Sequence, residues 1–370
     1  YQAAQTVVTE QLERKCAPAA LKLRLLADGS YEELPQGGDG YEKNRLVPQD
    51  IDTLEGVEPD VQGISYQEKK EWRNADRITL EGVAEGKADL RRLLAQLSDR
   101  ELAGLLGGQV NTGTANTYGM GNLPAYGIPN IMTADGPAGL RIREECGVYT
   151  TAWPCATLLA CTWNPEIVFE AGAAGAAEVK ENNIGVWLTP AMNIHRSPLC
   201  GRNFEYYSED PLVSGKMGAA MIRGIQSQHI GASMKHFCCN NKETNRKDSD
   251  SRVSERALRE IYLKGFEIAV KEAQPWTVMT SYNLMNGYPT SCNPELLNGI
   301  LREEWGFEGM VTTDWWNHAE HYLEVKAGGD IKMGCGYPDR ILEAKEKGFV
   351  SREEMEKCAE RILGMILKVD

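Results

Sequence analysis

Apolar positions along the chain fall into two spacings. Over ADLRRLLAQLSDRELAGLLG, beginning at Ala88, leucines recur every third or fourth position, which predicts an amphipathic helix. Beyond it come short, nearly continuous apolar runs: IPNIMTA, CATLLACT, GVWLTPAM, GASMKHF, TVMTSYN, GMVTTDW and DIKMG. Each has the length of a strand, and the lack of alternation is what parallel strands covered on both faces show. Between the runs lie segments that predict helices. Asn164 and Pro165 open one as cap and first helical residue, Asn293 and Pro294 open another, and Ser351 to Glu354 reads as a capping box.

Strand followed by helix, repeated, predicts an α/β domain that is either a closed barrel or an open doubly wound sheet. The position of the polar residues selects the barrel, because barrel enzymes gather their chemistry at the carboxyl ends of several strands. Asp135 follows IPNIMTA, Lys235 and His236 follow GASM, Tyr282 follows TVMTS, and Asp314 follows GMVTT. The expected fold is therefore a (β/α)8 TIM-like barrel over residues 86–370. Seven runs are one short of eight, so either an eighth strand lies between Gly107 and Gly121 or the barrel is incomplete or collapsed. Residues 1–85 show no sustained period and carry DGS, PQGGDG and many acidic residues, which predicts an irregular tail of a preceding domain and a linker.

Composition narrows the partners. With 42% hydrophobic residues the chain can build a large core, and a net charge of -13 argues against nucleic acid or an anionic membrane surface. No apolar run approaches the roughly 20 residues of a membrane span. Ten cysteines without a CxxC pair predict reduced, buried thiols and favour the cytosol.

Several chemistries lack their residues. No GxGxxG or GxxxxGK[ST] follows a strand, no HxH or HExxH offers a metal site, and no Gly-x-Ser-x-Gly elbow surrounds Ser281. The KDSDS stretch around Asp248 and Asp250 lacks the glycine and closing glutamate of a calcium loop. No metal or cofactor is expected. What remains is carboxylates among cations, with Trp315 and Trp316 adjacent, and this mixture suits sugars: hydroxyls need charged partners and the pyranose face needs an aromatic platform. Asp314, ending an apolar strand, is the candidate to attack or shield an anomeric carbon. A helix N-cap is the plain alternative for Asp314, a buried hydrogen-bonded pair for Lys235 and His236, and an ordinary ion pair for Arg202 and Glu205.

The motifs DGPAGLR, GRNFEYYSEDP, KHFCCNNKETNR, MTSYNLMNG and VTTDWW occur in an order that resembles family 3 glycoside hydrolases, the β-glucosidase branch above all. The resemblance implies a retaining exo-β-glycosidase for terminal β-D-glucosyl residues, with Asp314 as nucleophile. It also implies that Asp135, Arg202, Lys235, His236, Arg246 and Tyr282 bind the sugar, beside Trp315. FCCNNKETNR stands where the N-acetylglucosamine-removing branch carries a PGHGD loop, which points to glucosides. A β-xylosidase is the alternative within the class, and a non-hydrolytic sugar-binding fragment the alternative outside it. By the same resemblance the acid/base glutamate belongs to a second α/β sandwich domain or a partner chain, expected upstream of Tyr1. Glu205, Glu209 and Glu243 are weaker candidates for that acid within the chain.

Overall fold

The computed structural model describes residues 17, 22–33, 46 and 77–369. Most of the expected tail and linker thus lies outside the described residues. Within the described part of it, two short strands, β1 (Leu23–Leu25) and β2 (Tyr31–Glu33), form an antiparallel hairpin. Leu80, in the helix Leu80–Ala84, is buried in the same apolar cluster as Leu102 and Ile362.

The main sheet contains β3 (Gly119–Leu123), β4 (Ile128–Ala134), β5 (Val186–Trp187) and β6 (Gly231–Phe237). After the small strand β7 (Asp250–Ser251) come β8 (Thr277–Thr280), the short β9 (Leu284–Met285) and β10 (Tyr288–Pro289), and β11 (Met310–Thr312). Its spatial order is β11-β8-β6-β5-β4-β3, while β10, β9 and β7 form a separate sheet. All pairs of the main sheet are parallel except β3 with β4.

The eighth strand sought between Gly107 and Gly121 is therefore met in part by β3, which runs antiparallel. Gly121 allows the close approach: its φ is +88°, and a Cβ there would stand 2.5 Å from the Pro129 carbonyl oxygen. The edges of the sheet are joined only by isolated bridges, Thr312 to Ile331, Lys332 to Gly107 and Gln109 to Gly119. DIKMG supplies two of these bridges and no regular strand. The result is a curled mixed α/β sheet, and a regular eight-fold barrel is not what these residues form.

Two other expectations change. CATLLACT forms the one-turn helix Ala156–Ala160, with Ala156, Leu159 and Ala160 buried. That i, i+3, i+4 spacing is helical, and a short apolar run hides it. The helix read from Ala88 is two, Leu90–Ala95 and Asp99–Leu105, because Ser98 makes a capping box with Glu101. The other caps form as expected: Asn164 accepts from the Glu166 amide at 2.9 Å, Asn293 from Leu296 at 3.1 Å, and Ser351 closes its capping box with Glu354.

Successive residues of the strands feed two apolar clusters. Trp187, Val278 and Val311 point into one; Val186, Met279 and Met310 point into the other. Helices Pro165–Glu181 and Pro211–Gln226 cover the first with Val168, Val179 and Ile222, and the last helix, Arg352–Ile366, closes the second with Ile362 and Leu363. Truncating a fully buried leucine such as Leu102 to alanine removes about 2–5 kcal/mol.

Candidate functional site

At the carboxyl ends of the strands lies a cavity of about 440 Å³ lined by Asp135, Arg202, Lys235, His236, Arg246, Tyr282, Asp314 and Trp315. The structure thus brings together the proposed nucleophile and all seven proposed sugar-binding residues, with Glu205 and Glu243 beside them, while Trp316 and Glu209 lie outside. Arg141, Phe204, Thr117, Leu188 and Met279 also line it and were missed. Arg141 lies six positions past Asp135 in DGPAGLR, and spacing through a loop gives no direction for such a side chain.

Asp314 ends β11 buried, with 9% of its surface exposed. Oδ1 accepts the Trp315 amide at 2.8 Å, while Oδ2 has no hydrogen-bond partner of ordinary geometry. The helix-cap alternative does not hold, since the next helix, His321–Ala327, has Glu320 at its cap position. Burial raises the Asp314 pKa, and Arg202, the Trp315 amide, Lys235 and Arg246 offset only part of the rise. Burial raises the Tyr282 phenol pKa and the nearby Asp314 carboxylate adds to the rise, yet its hydroxyl donates to the Trp315 carbonyl.

Asp135 sits in the opposite setting. Oδ1 accepts from Lys235 Nζ at 2.7 Å, Oδ2 from Arg141 Nη1 at 3.1 Å, and its amide donates to Asn116 at 3.0 Å. Burial pushes its pKa up, but the Lys235 charge and hydrogen bond outweigh that and bring it to about 2.

Arg202 links Glu205 to His236. Its Nε pairs with Glu205 and its Nη2 lies 2.8 Å from His236 Nε2. A guanidinium only donates, so Nε2 is the acceptor and the imidazole proton sits on Nδ1, 3.4 Å from the Tyr206 hydroxyl. Burial, then Arg202, Lys235 and Arg246, hold the His236 pKa well below the ordinary value. This neutral histidine, whose Nε2 is 3.8 Å from Asp314 Oδ2, has no proton on that nitrogen to give.

Arg246 pairs with Glu243 at 3.1 Å and lies 4.6 Å over the Tyr282 ring. Trp316 turns away from the cavity to meet Tyr118 edge-on at 5.6 Å, leaving Trp315 as the tryptophan of the wall beside Phe204 and Tyr282. Glu209 is exposed and does not line the cavity. Ser281 donates to the Cys238 carbonyl at 2.7 Å, and Cys238 and Cys239 are both buried. His321 is held by the Leu106 carbonyl and the Tyr337 amide, and among the described residues no cluster of His, Cys, Asp or Glu is arranged to hold a metal. Among the same residues no helix is long and apolar enough to cross a membrane.

A curled α/β sheet whose strand ends surround a carboxylate with one unpartnered oxygen, together with cations, a neutral histidine and a tryptophan, defines a carbohydrate-type site. The Glycosyl hydrolase family 3 N terminal domain matches residues 105–365, and the chain belongs to that family. It is 54% identical over 369 residues to Beta-glucosidase A of Butyrivibrio fibrisolvens, covering 96% of this chain and 44% of that protein. Among solved structures it resembles a β-glucosidase from Paenibacillus barengoltzii, with a TM-score of 0.81 and 36% identity, covering 100% of this chain and 42% of that one. β-Glucosidase 3B from Thermotoga neapolitana, in complex with glucose, matches with a TM-score of 0.73 and 45% identity over 75% of this chain and 42% of that one. The chain thus spans less than half the length of these relatives.

Proposed function

We propose that this chain is the nucleophile-bearing unit of a retaining exo-β-glucosidase. The observation that carries the reading is the buried Asp314 Oδ2, left without a hydrogen-bond partner in a cavity whose other carboxylates, Asp135, Glu205 and Glu243, are all paired with cations. Asp314 attacks the anomeric carbon and forms a glycosyl-enzyme; water then releases the sugar with its original configuration. Asp135 and Lys235 take hydroxyls at the far end, Arg202, His236 and Arg246 take others, Tyr282 flanks the nucleophile, and Trp315 covers the apolar face.

The two glutamates lining the cavity, Glu205 and Glu243, are engaged by Arg202 and Arg246. Their pairing supports an acid/base supplied by a second domain or partner chain, and it is the observation that favours the non-hydrolytic reading if that group is absent. In our division residues 86–370 are the catalytic unit and 1–85 the tail of a preceding domain with its linker. The single bridges joining the edges of the sheet support its reading as an incomplete or collapsed barrel. All nine described cysteines are free, which supports a reducing, cytoplasmic setting.

The test is hydrolysis of aryl β-glucoside, aryl β-xyloside and cellobiose, with the anomer of the first product read by NMR. Faster turnover of the glucoside with retained configuration supports the reading, and faster turnover of the xyloside replaces it with a β-xylosidase. Cleavage of the aryl glucoside without cellobiose cleavage marks an absent acid. Inverted product, or no turnover of either aryl glycoside, contradicts it.

A further inference from the structure

Directly behind the Asp314 turn lies a charged cluster that the proposed chemistry does not use. Lys332, Glu324 and Asn317 are 1%, 1% and 7% exposed. The Lys332 ammonium has three protons and all are spent: on Asn317 Oδ1, on the Ala319 carbonyl at 2.9 Å and on Glu324 Oε2 at 2.9 Å. Asn317 Nδ2 returns to Glu324 Oε1 at 2.6 Å and reaches Ser291 Oγ at 3.3 Å. Every member is satisfied, so the cluster has one low-energy arrangement.

A buried ion pair is weak evidence of stability, because desolvating both charges offsets much of their attraction. Its location is more informative. Lys332 is fixed to the opposite edge of the sheet by its amide to Leu106 O at 2.9 Å and by its carbonyl, which accepts from Gly108 at 2.9 Å. Its side chain grips residues 317 and 319, just beyond Asp314. The near side of the same turn is held by Tyr282 on the Trp315 carbonyl, by the Trp316 amide on Met333 O at 3.0 Å, and by Lys247 Nζ on Trp316 O at 2.7 Å.

Resting on the nucleophile role of Asp314, we infer that Lys332, Asn317 and Glu324 are positioning residues that hold the turn 314–319 so that Oδ2 faces the anomeric carbon. None of the three lines the cavity. Disturbing them should therefore change the rate of attack while leaving sugar binding in place.

Lys332→Met alone strands a buried Glu324 charge and is expected to destabilise the fold, so it cannot separate the two roles. Lys332→Met/Glu324→Gln removes both charges together, and Asn317→Ala removes the bridging amide while keeping the ion pair. The full chain and both variants are treated with a 2-deoxy-2-fluoro-β-glucosyl fluoride, and the rate and saturation of Asp314 labelling are followed by mass spectrometry, with folding checked by circular dichroism. The expected result for a folded variant is labelling slowed about 10- to 100-fold at saturation, with half-saturation within about twofold of the parent. Parent-like labelling in either folded variant overturns the inference, as does a loss confined to half-saturation. If the parent itself is never labelled, the nucleophile reading fails, and the positioning role fails with it.

Discussion

The two ends of the cavity hold one aspartate each, at the ends of β4 and β11, and their surroundings push them apart. Asp135 gives both oxygens to cations and its pKa is brought to about 2. Asp314 is more deeply buried, keeps Oδ2 without a partner, and has its pKa raised by that burial. A saturated carboxylate is a fixed acceptor, good for gripping hydroxyls and poor as a nucleophile. An unsatisfied one is high in free energy until an electrophile arrives. Residue type and strand-end position are the same, so the neighbours decide the role.

The largest effect expected from breaking this contrast is on turnover. Asp314→Ala should lower kcat on an aryl glucoside by on the order of 10⁴-fold or more, with the circular dichroism spectrum unchanged. Asp314→Asn should also abolish turnover, yet raise Tm at neutral pH, because it removes a buried charge that lacks full compensation. No gain in Tm would mean that Asp314 is better satisfied than its surroundings indicate.

Asp135→Asn should act in the other direction on stability. It strands the buried Lys235 ammonium, and denaturant unfolding should show a loss on the order of 3 kcal/mol, together with weaker glucose binding by calorimetry.

The pH dependence follows from the same pair. Asp135 has a folded-state pKa below its unfolded value, so its contribution is full above about pH 4 and is lost as pH falls through about 2. That contribution is about 2 kcal/mol, and the slope it causes in chemical denaturation at pH 2 to 4 should vanish in Asp135→Asn. Asp314, raised in the folded state, has the opposite sign: protonating it favours the fold, so its penalty fades as pH falls through its folded pKa. The smallest effect belongs to Arg141→Ala. This cation is half exposed, and its loss should cost roughly 0.2–1 kcal/mol and reduce affinity only a few-fold.

Much of this contrast was legible in the sequence, and the reason is positional. Asp135, Lys235 and Asp314 each follow an apolar run long enough to be a strand, and strand ends converge wherever parallel strands curl. What could not be read was how the sheet ends. β3 runs antiparallel through a glycine at positive φ, and the edges meet at single residues such as Lys332 and Gly107, so that DIKMG, strand-like in sequence, pairs only through isolated bridges. The helix at 156–160 was hidden because a one-turn helix and a short strand have the same apolar content. Arg141, Phe204 and the state of His236 were out of reach for another reason: they depend on loop paths and on which neighbour donates to which atom. The buried grip of Lys332 on Asn317 and Glu324 depends on side chains that meet only once the chain has turned back beside β11.

The most direct test is to incubate the chain with a 2-deoxy-2-fluoro-β-glucosyl compound bearing a good leaving group and to map the product by intact and peptide mass spectrometry. A single stable adduct on the peptide containing Asp314, absent from Asp314→Asn, is the predicted result. An adduct on another carboxylate, or none in a folded sample that binds glucose, would contradict the assignment of Asp314 as the attacking group.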